Sequence, residues 1–167
     1  LLTCMTPTGR ETGASLYGER VIQAYLPYDY PGATARFLKH FKPCLGVLME
    51  TEIWPNLLAG CARRRIPIIL ANARLSARSA RGYGRIAALV RPALGHLAGV
   101  AAQSQADADR LTLLGAHNIR ICGNLKFDVT PNPDALALGR QWRATLEQRP
   151  VWLAASTREG EESLLLD

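Results

Sequence analysis

The chain has 167 residues, 48% of them hydrophobic and 20% charged, the make-up of a soluble globular domain with one sizeable core rather than of a repeat or low-complexity polypeptide. No apolar run reaches the roughly 18 residues of a membrane span, and Leu1-Leu2-Thr3-Cys4 lacks the basic flank and length of a signal peptide, opening instead like an interior strand. The net charge of +6 is uneven: from Ile53 to Ala106 there are eight arginines (Arg63, Arg64, Arg65, Arg74, Arg78, Arg81, Arg85 and Arg91) and no acid, so this window carries +8 and the remainder −2.

Short apolar runs alternate with amphipathic segments, as in βαβ units around a parallel sheet. Strands are expected near Leu1–Thr3, Val21–Leu26, Leu45–Met49, Pro67–Ala71, Gly99–Ala102, Ile119–Cys122 and Val151–Ala155. Most are continuously apolar, as strands covered on both faces are. Pro31 suits the first position of a helix carrying Ala33, Phe37, Leu38 and Phe41 at helical spacing. Ser104 fits an N-cap for a helix through Leu114, with Gly115 as its stop. From Val129 to Asp134 two prolines argue against regular structure, which makes this stretch the expected linker to the start of a second domain.

In open α/β sheets ligands bind beyond the carboxyl ends of the strands, and here those positions are polar throughout. They carry Thr6-Pro7-Thr8-Gly9, Pro27-Tyr28-Asp29-Tyr30-Pro31, Glu50-Thr51-Glu52, Asn72-Ala73-Arg74, Gln103-Ser104, Asn124-Leu125-Lys126 and Ser156-Thr157. Thr8-Gly9 and Ser156-Thr157 read equally as helix caps or as phosphate sites at helix N-termini. Glu50 and Glu52 are either first-turn helix charges or a polar pair facing a ligand. Lys126 is either a loop residue or a partner for an anion. The acid-free arginine window favours an anionic partner such as phosphorylated lipid, membrane headgroups or nucleic acid, although a solvated helix face would look similar.

Asp107-Ala108-Asp109 is not read as a metal-binding pair, because residues two apart on a helix do not share a face and both acids follow the Ser104 cap. His40, His96 and His117 lack metal-ligand spacing, and there is neither a nucleophilic triad order nor a Walker-type glycine loop. Cys4, Cys44, Cys61 and Cys122 are scattered, which suggests neither a zinc site nor a disulfide framework and fits a reducing cytoplasm.

Several of these segments, in order, resemble the motifs of the 3-deoxy-D-manno-octulosonic acid (Kdo) transferases. They are Thr6-Pro7-Thr8-Gly9, Met49-Glu50-Thr51-Glu52-Ile53-Trp54-Pro55-Asn56, Asn72-Ala73-Arg74-Leu75-Ser76, Gln103-Ser104, Gly123-Asn124-Leu125-Lys126-Phe127-Asp128, and Ala155-Ser156-Thr157 followed by Gly160-Glu161-Glu162. The resemblance runs along essentially the whole chain. It implies a GT-B glycosyltransferase with two Rossmann-like domains: residues 1–130 as an acceptor-side domain lacking its first part, and residues 131–167 as a linker helix and the start of the donor-binding domain. It further implies inverting transfer of Kdo from CMP-Kdo to the lipid A precursor at the cytoplasmic face of the bacterial inner membrane, in lipopolysaccharide assembly, without metal or other cofactor. Any membrane anchor and the family's base glutamate are expected ahead of Leu1, and Arg158 stands where the family usually has histidine. Glu50 or Glu52 would then lie near acceptor or donor sugar, Lys126 near the anionic sugar or phosphate, and Ser156 and Thr157 at the donor phosphate. Thr6, Thr8, Gly9, Asn72, Arg74, Gln103, Ser104 and Asn124 complete the expected substrate-binding set.

One alternative is a non-catalytic Rossmann-like module that holds a nucleotide sugar or an anionic lipid. Nucleic-acid binding is not expected, because the arginine window contains only Trp54 and Tyr83 as aromatic platforms.

Overall fold

A computed structural model describes residues 1–166, which divide into a compact unit Leu1–Phe127 and a second unit from Asp128 onward. The first unit alternates strands and helices. Strand β1 (Leu2–Cys4), helix α1 (Pro7–Tyr17) and β2 (Gln23–Tyr25) form a parallel two-stranded βαβ unit with Leu2 opposite Gln23 and Cys4 opposite Tyr25. After α2 (Pro31–Phe41) come β3 (Gly46–Met49), α3 (Pro55–Arg63), β4 (Ile68–Ala73), α4 (Ala77–Arg85), α5 (Ala87–Gly95), β5 (Gly99–Ala102), α6 (Gln105–Leu113) and β6 (Ile119–Ile121). Their four strands lie in chain order, all parallel.

Local signals account for most boundaries. Prolines open α1, α2 and α3 at positions where the missing N–H costs no helical bond. Ser76 and Ser104 cap α4 and α6 by accepting hydrogen bonds from the amides of Ser79 and Asp107. Gly115, at φ +98°, lies just beyond α6, as expected for a helix stop, and its backbone passes close to Arg91.

Leu38 of α2, Leu58 of α3, Leu94 of α5 and Leu111 of α6 meet Leu70 of β4 and Val100 of β5 in one core. The other face of the sheet differs from the expectation of strands covered on both sides, because Val47 and Met49 of β3 remain 54% and 46% exposed. Continuous apolarity in β3 therefore goes with one partly buried face, carrying Leu48, and one exposed face within the described residues.

The second unit contains α7 (Pro133–Thr145) and the short α8 (Glu161–Leu166). Helical structure begins inside the expected linker: Asn132 caps α7 and Pro133 is its first residue, a position where proline favours a helix. The strand expected at Val151–Ala155 is not formed, since among the described residues no other strand lies in this unit to pair with it.

Candidate functional site at the carboxyl edge of the strands

The loop leaving β3 is anchored from three directions. Glu50 donates its backbone N–H to Ala71 O at 2.8 Å, completing the β3–β4 ladder, and then turns into the left-handed region at φ +60°. Thr51 Oγ1 donates to the Arg74 carbonyl, tying the β3 and β4 loops together. The indole Nε1 of Trp54 donates to Glu52 Oε2 at 3.1 Å. The two glutamates thus differ: Glu52 is held by Trp54, while among the described residues the Glu50 carboxylate has no hydrogen-bond partner and is exposed. Neither belongs to α3, so the first-turn role does not apply.

What occupies the N-terminus of α3 is Asp29, from the loop between β2 and α2. Its carboxylate accepts from the amides of Asn56 and Leu57, both at 2.8 Å, while Asn56 Nδ2 donates to the Asp29 carbonyl at 2.6 Å. A fixed anion here compensates the helix dipole and joins the two sheets. The sequence places Asp29 in one of the polar loops beyond the strand ends, but only the 27-residue contact to Asn56 shows that it holds α3.

Asn72 is the pivot of the β4 end. It lies at a register irregularity between Leu70 and Ala73, at φ +52°, a conformation asparagine tolerates better than most residues. Its carbonyl accepts from Gln103 Nε2 at 3.0 Å and its Oδ1 accepts from the Leu125 amide at 3.2 Å. Asn124 Oδ1 in turn accepts from the Lys126 amide at 3.1 Å, and the exposed Lys126 ammonium lies 5.0 Å from the centre of the Phe127 ring. Asn72 therefore ties Gln103 to the loop that carries Asn124 and Lys126, at Leu125 between them.

Thr6, not Thr8, caps α1: its hydroxyl accepts from the Gly9 amide at 3.1 Å. A side chain at Gly9 would lie 3.1 Å from that hydroxyl and 3.3 Å from Cys4 Cβ, so glycine permits the close packing of α1 on β1. Thr6 also lines a cleft of about 710 Å³ whose walls are β1 and β3 and whose polar rim is Glu50, Thr51 and Glu52. Thr8, exposed on the first turn, does not line it.

Asp107 is buried in the first turn of α6. One oxygen accepts from the Leu75 amide at 2.8 Å, and the other accepts from the Ser104 hydroxyl. Burial pushes its carboxyl pKa up, but hydrogen bonds from Ser104, the Leu75 amide and Arg110, with the Arg110 charge, outweigh this and hold it below the ordinary value. Asp109 points elsewhere and accepts from Gln105 at 2.7 Å. The two acids form no metal-binding pair, and no group of three metal-ligating side chains occurs among the described residues.

Ser156 and Thr157 belong to the second unit, where Ser156 adopts φ +61°. The Thr157 hydroxyl donates to Glu162, which lowers that carboxyl's pKa, and the Arg158 amide donates to Glu161 Oε2 at 2.9 Å. Carboxylates of α8 thus occupy these donors, and neither Ser156 nor Thr157 caps α8 directly.

All eight arginines of the acid-free window are exposed; Arg91 lies on α5, and the other seven form two groups. Arg63, Arg64 and Arg65 end α3 at the amino edge of the sheet, beside Lys39 and Lys42. Arg74 follows β4 at the carboxyl edge, and Arg78, Arg81 and Arg85 repeat at helical spacing along α4, opposite its core-facing Ala80 and Tyr83.

A parallel α/β unit of this kind, with its polar loops collected beyond the strand ends, is the architecture of the N-terminal domain of a GT-B glycosyltransferase. The family described as 3-deoxy-D-manno-octulosonic-acid transferase (kdotransferase) matches residues 1–129, and the chain belongs to it. Over its whole length the chain is 44% identical to a 3-deoxy-D-manno-octulosonic acid transferase of Bordetella pertussis, covering 40% of that protein. Over 98% of its length it is 39% identical to the transferase of the same name from Haemophilus influenzae, covering 39% of that protein. A bifunctional glycosyltransferase/methyltransferase of Fusobacterium nucleatum is 32% identical over the whole chain, which covers 27% of it. The chain therefore spans about two fifths or less of these relatives.

Proposed function

We propose that this chain supplies the acceptor side of an inverting glycosyltransferase that moves Kdo from CMP-Kdo to lipid IVA, the lipid A precursor, at the cytoplasmic face of the inner membrane. One observation carries the proposal: in a member of the Kdo transferase family, Thr6, Glu50, Thr51 and Glu52 rim a single cleft, and Thr51 joins that rim to Arg74. Glu50 and Glu52 would face a sugar hydroxyl, while Arg74 and Lys126 would supply positive charge to a sugar carboxylate or phosphate. A base takes the acceptor proton as CMP leaves, and fixed cations and amide dipoles stabilise the departing phosphate, so no metal or other cofactor is needed. The base is proposed to lie outside this sequence, which makes the 167-residue chain inactive by itself.

Beyond the rim, α4 presents Arg78, Arg81 and Arg85, and the exposed Ile86 and Leu89 follow it. We assign this cationic and apolar surface to the phosphorylated lipid and anionic headgroups. Among the described residues no helix is long and apolar enough to cross a membrane, so this chain's own contact with a bilayer would be peripheral.

A mass-shift assay tests the function. CMP-Kdo and lipid IVA are incubated with this chain and, in parallel, with the complete product of its gene. A product heavier by one or more Kdo units with the complete protein only is the expected outcome; transfer by neither protein would instead favour a non-catalytic binder of a nucleotide sugar or anionic lipid.

A further inference from the structure

Among the described residues one salt bridge is formed, and it points inward. Arg110 Nη2 and Asp107 Oδ1 are 3.3 Å apart on successive turns of α6, and both side chains reach across to a single residue of the β4–α4 loop. Asp107 accepts from the Leu75 amide, while Arg110 Nε donates to the Leu75 carbonyl. Leu75 itself is fully buried, with 0% of its surface exposed. Just before it, the Arg74 carbonyl is held by the Thr51 hydroxyl. The peptide groups flanking Leu75 and the carbonyl of Arg74 are thus fixed by three side chains from two other loops or helices, while the Arg74 side chain is exposed beside the cleft rim.

We propose that Asp107 and Arg110 are a positioning pair that clamps Leu75 and thereby aims Arg74 at the anionic group of the substrate. This rests on Arg74 being a substrate contact, as in the proposed function. Capping of α6 alone does not require the second half of the arrangement, because Ser104 already accepts from the Asp107 amide at 3.2 Å and Arg110 could reach solvent. Its guanidinium instead spans to Leu75, so the acid and the base of the pair hold the donor and the acceptor of one residue. A clamp of this kind restricts the loop without touching the ligand, the usual requirement for a precisely oriented charged group.

A double-mutant cycle in the complete gene product tests the clamp, with lipid IVA as acceptor. Arg74→Ala is expected to raise KM for the acceptor about tenfold, the size of one charge-assisted contact. Asp107→Asn, which keeps Oδ1 for the Leu75 amide but loses the charge that attracts Arg110 and the acceptor for the Ser104 hydroxyl, is expected to raise KM by about threefold to tenfold, and Arg110→Gln is expected to do the same. In either double variant with Arg74→Ala, KM should equal that of Arg74→Ala alone within about twofold, because a clamp has no further effect once its side chain is gone. Additive effects would overturn the proposal, as would full activity of Arg74→Ala. If the parent protein itself transfers no Kdo, the proposed function fails, and the clamp is read separately by hydrogen exchange at the Leu75 amide. Protection lost in Asp107→Ala and kept in a Ser104→Ala control supports it; protection kept in both overturns it.

Discussion

Glu50 and Asn72 are non-glycine residues held at positive φ, and both stand where β3 and β4 meet the proposed site. A left-handed backbone costs a residue with a side chain roughly 1 kcal/mol, and such strain concentrates where a side chain must be aimed. Replacing Glu50 by glycine removes that strain, so Glu50→Gly should leave stability unchanged or raise it by up to about 1 kcal/mol in urea unfolding. The same change should lower transfer by the complete protein at least about tenfold if the carboxylate faces a sugar hydroxyl. Glu52→Gln should cost less activity, because its contact to Trp54 survives as a neutral hydrogen bond. Asp107 leads to a pH prediction. Its folded pKa lies below the unfolded value of about 3.9, so it adds stability above that pH and loses it as pH falls through the folded value. The stability of Asp107→Asn should therefore fall less steeply than the parent's below about pH 4.

At the scale of elements, what is legible in the sequence follows from local rules. Pro31 opening α2, Ser104 capping α6, Gly115 beyond it and six of the strand cores are all readable from neighbours a few residues apart. The features that stay hidden depend on contacts between distant segments. Asp29 looks like an ordinary turn residue until α3 places the Asn56 and Leu57 amides against it, and Asp107 looks like a first-turn acid until Leu75 arrives. The segment Val151–Ala155 has strand-like composition but no partner strand among the described residues, and composition alone cannot supply one. Pro133 taken singly is a breaker, whereas Asn132 before it makes it a helix start. The candidate site is legible as a set of loops, but the grouping of the first unit's loops into two clusters is not. Asp29→Ala removes the acceptor of both amides at α3 and should cost about 1–2 kcal/mol in chemical unfolding, the size of a lost N-cap. Asp29→Asn keeps one acceptor oxygen where two amides need one each, so it should recover only part of that loss.

For the molecule as a whole, the cleft between β1 and β3 is apolar below its polar rim, and Leu1, Val47 and Met49 along it are about half exposed. Both β1 and β3 are also edge strands of their sheets. Unpaired apolar edges associate readily, so the isolated 167-residue chain should self-associate in a concentration-dependent way by sedimentation, and Val47→Lys should reduce that association. The exposed arginines also govern how the chain meets a membrane. Binding of the chain to vesicles containing anionic lipid should weaken as salt is raised from about 0.05 to 0.5 M, since exposed charges are screened over about one Debye length. Arg78→Glu with Arg81→Glu should weaken it further, whereas reversal of Arg63 and Arg65 at the opposite edge should matter less.

Photo-cross-linking maps where the acceptor lies on the protein. A lipid IVA analogue with a photoreactive group beside one phosphate is irradiated with the complete protein, and the labelled peptides are identified by mass spectrometry. Labelling within residues 50–54 and 74–85, suppressed by unlabelled lipid IVA, is the predicted result. Competable labelling confined to the amino edge around Lys39, Lys42 and residues 63–65 would contradict the assignment of the acceptor to the carboxyl edge.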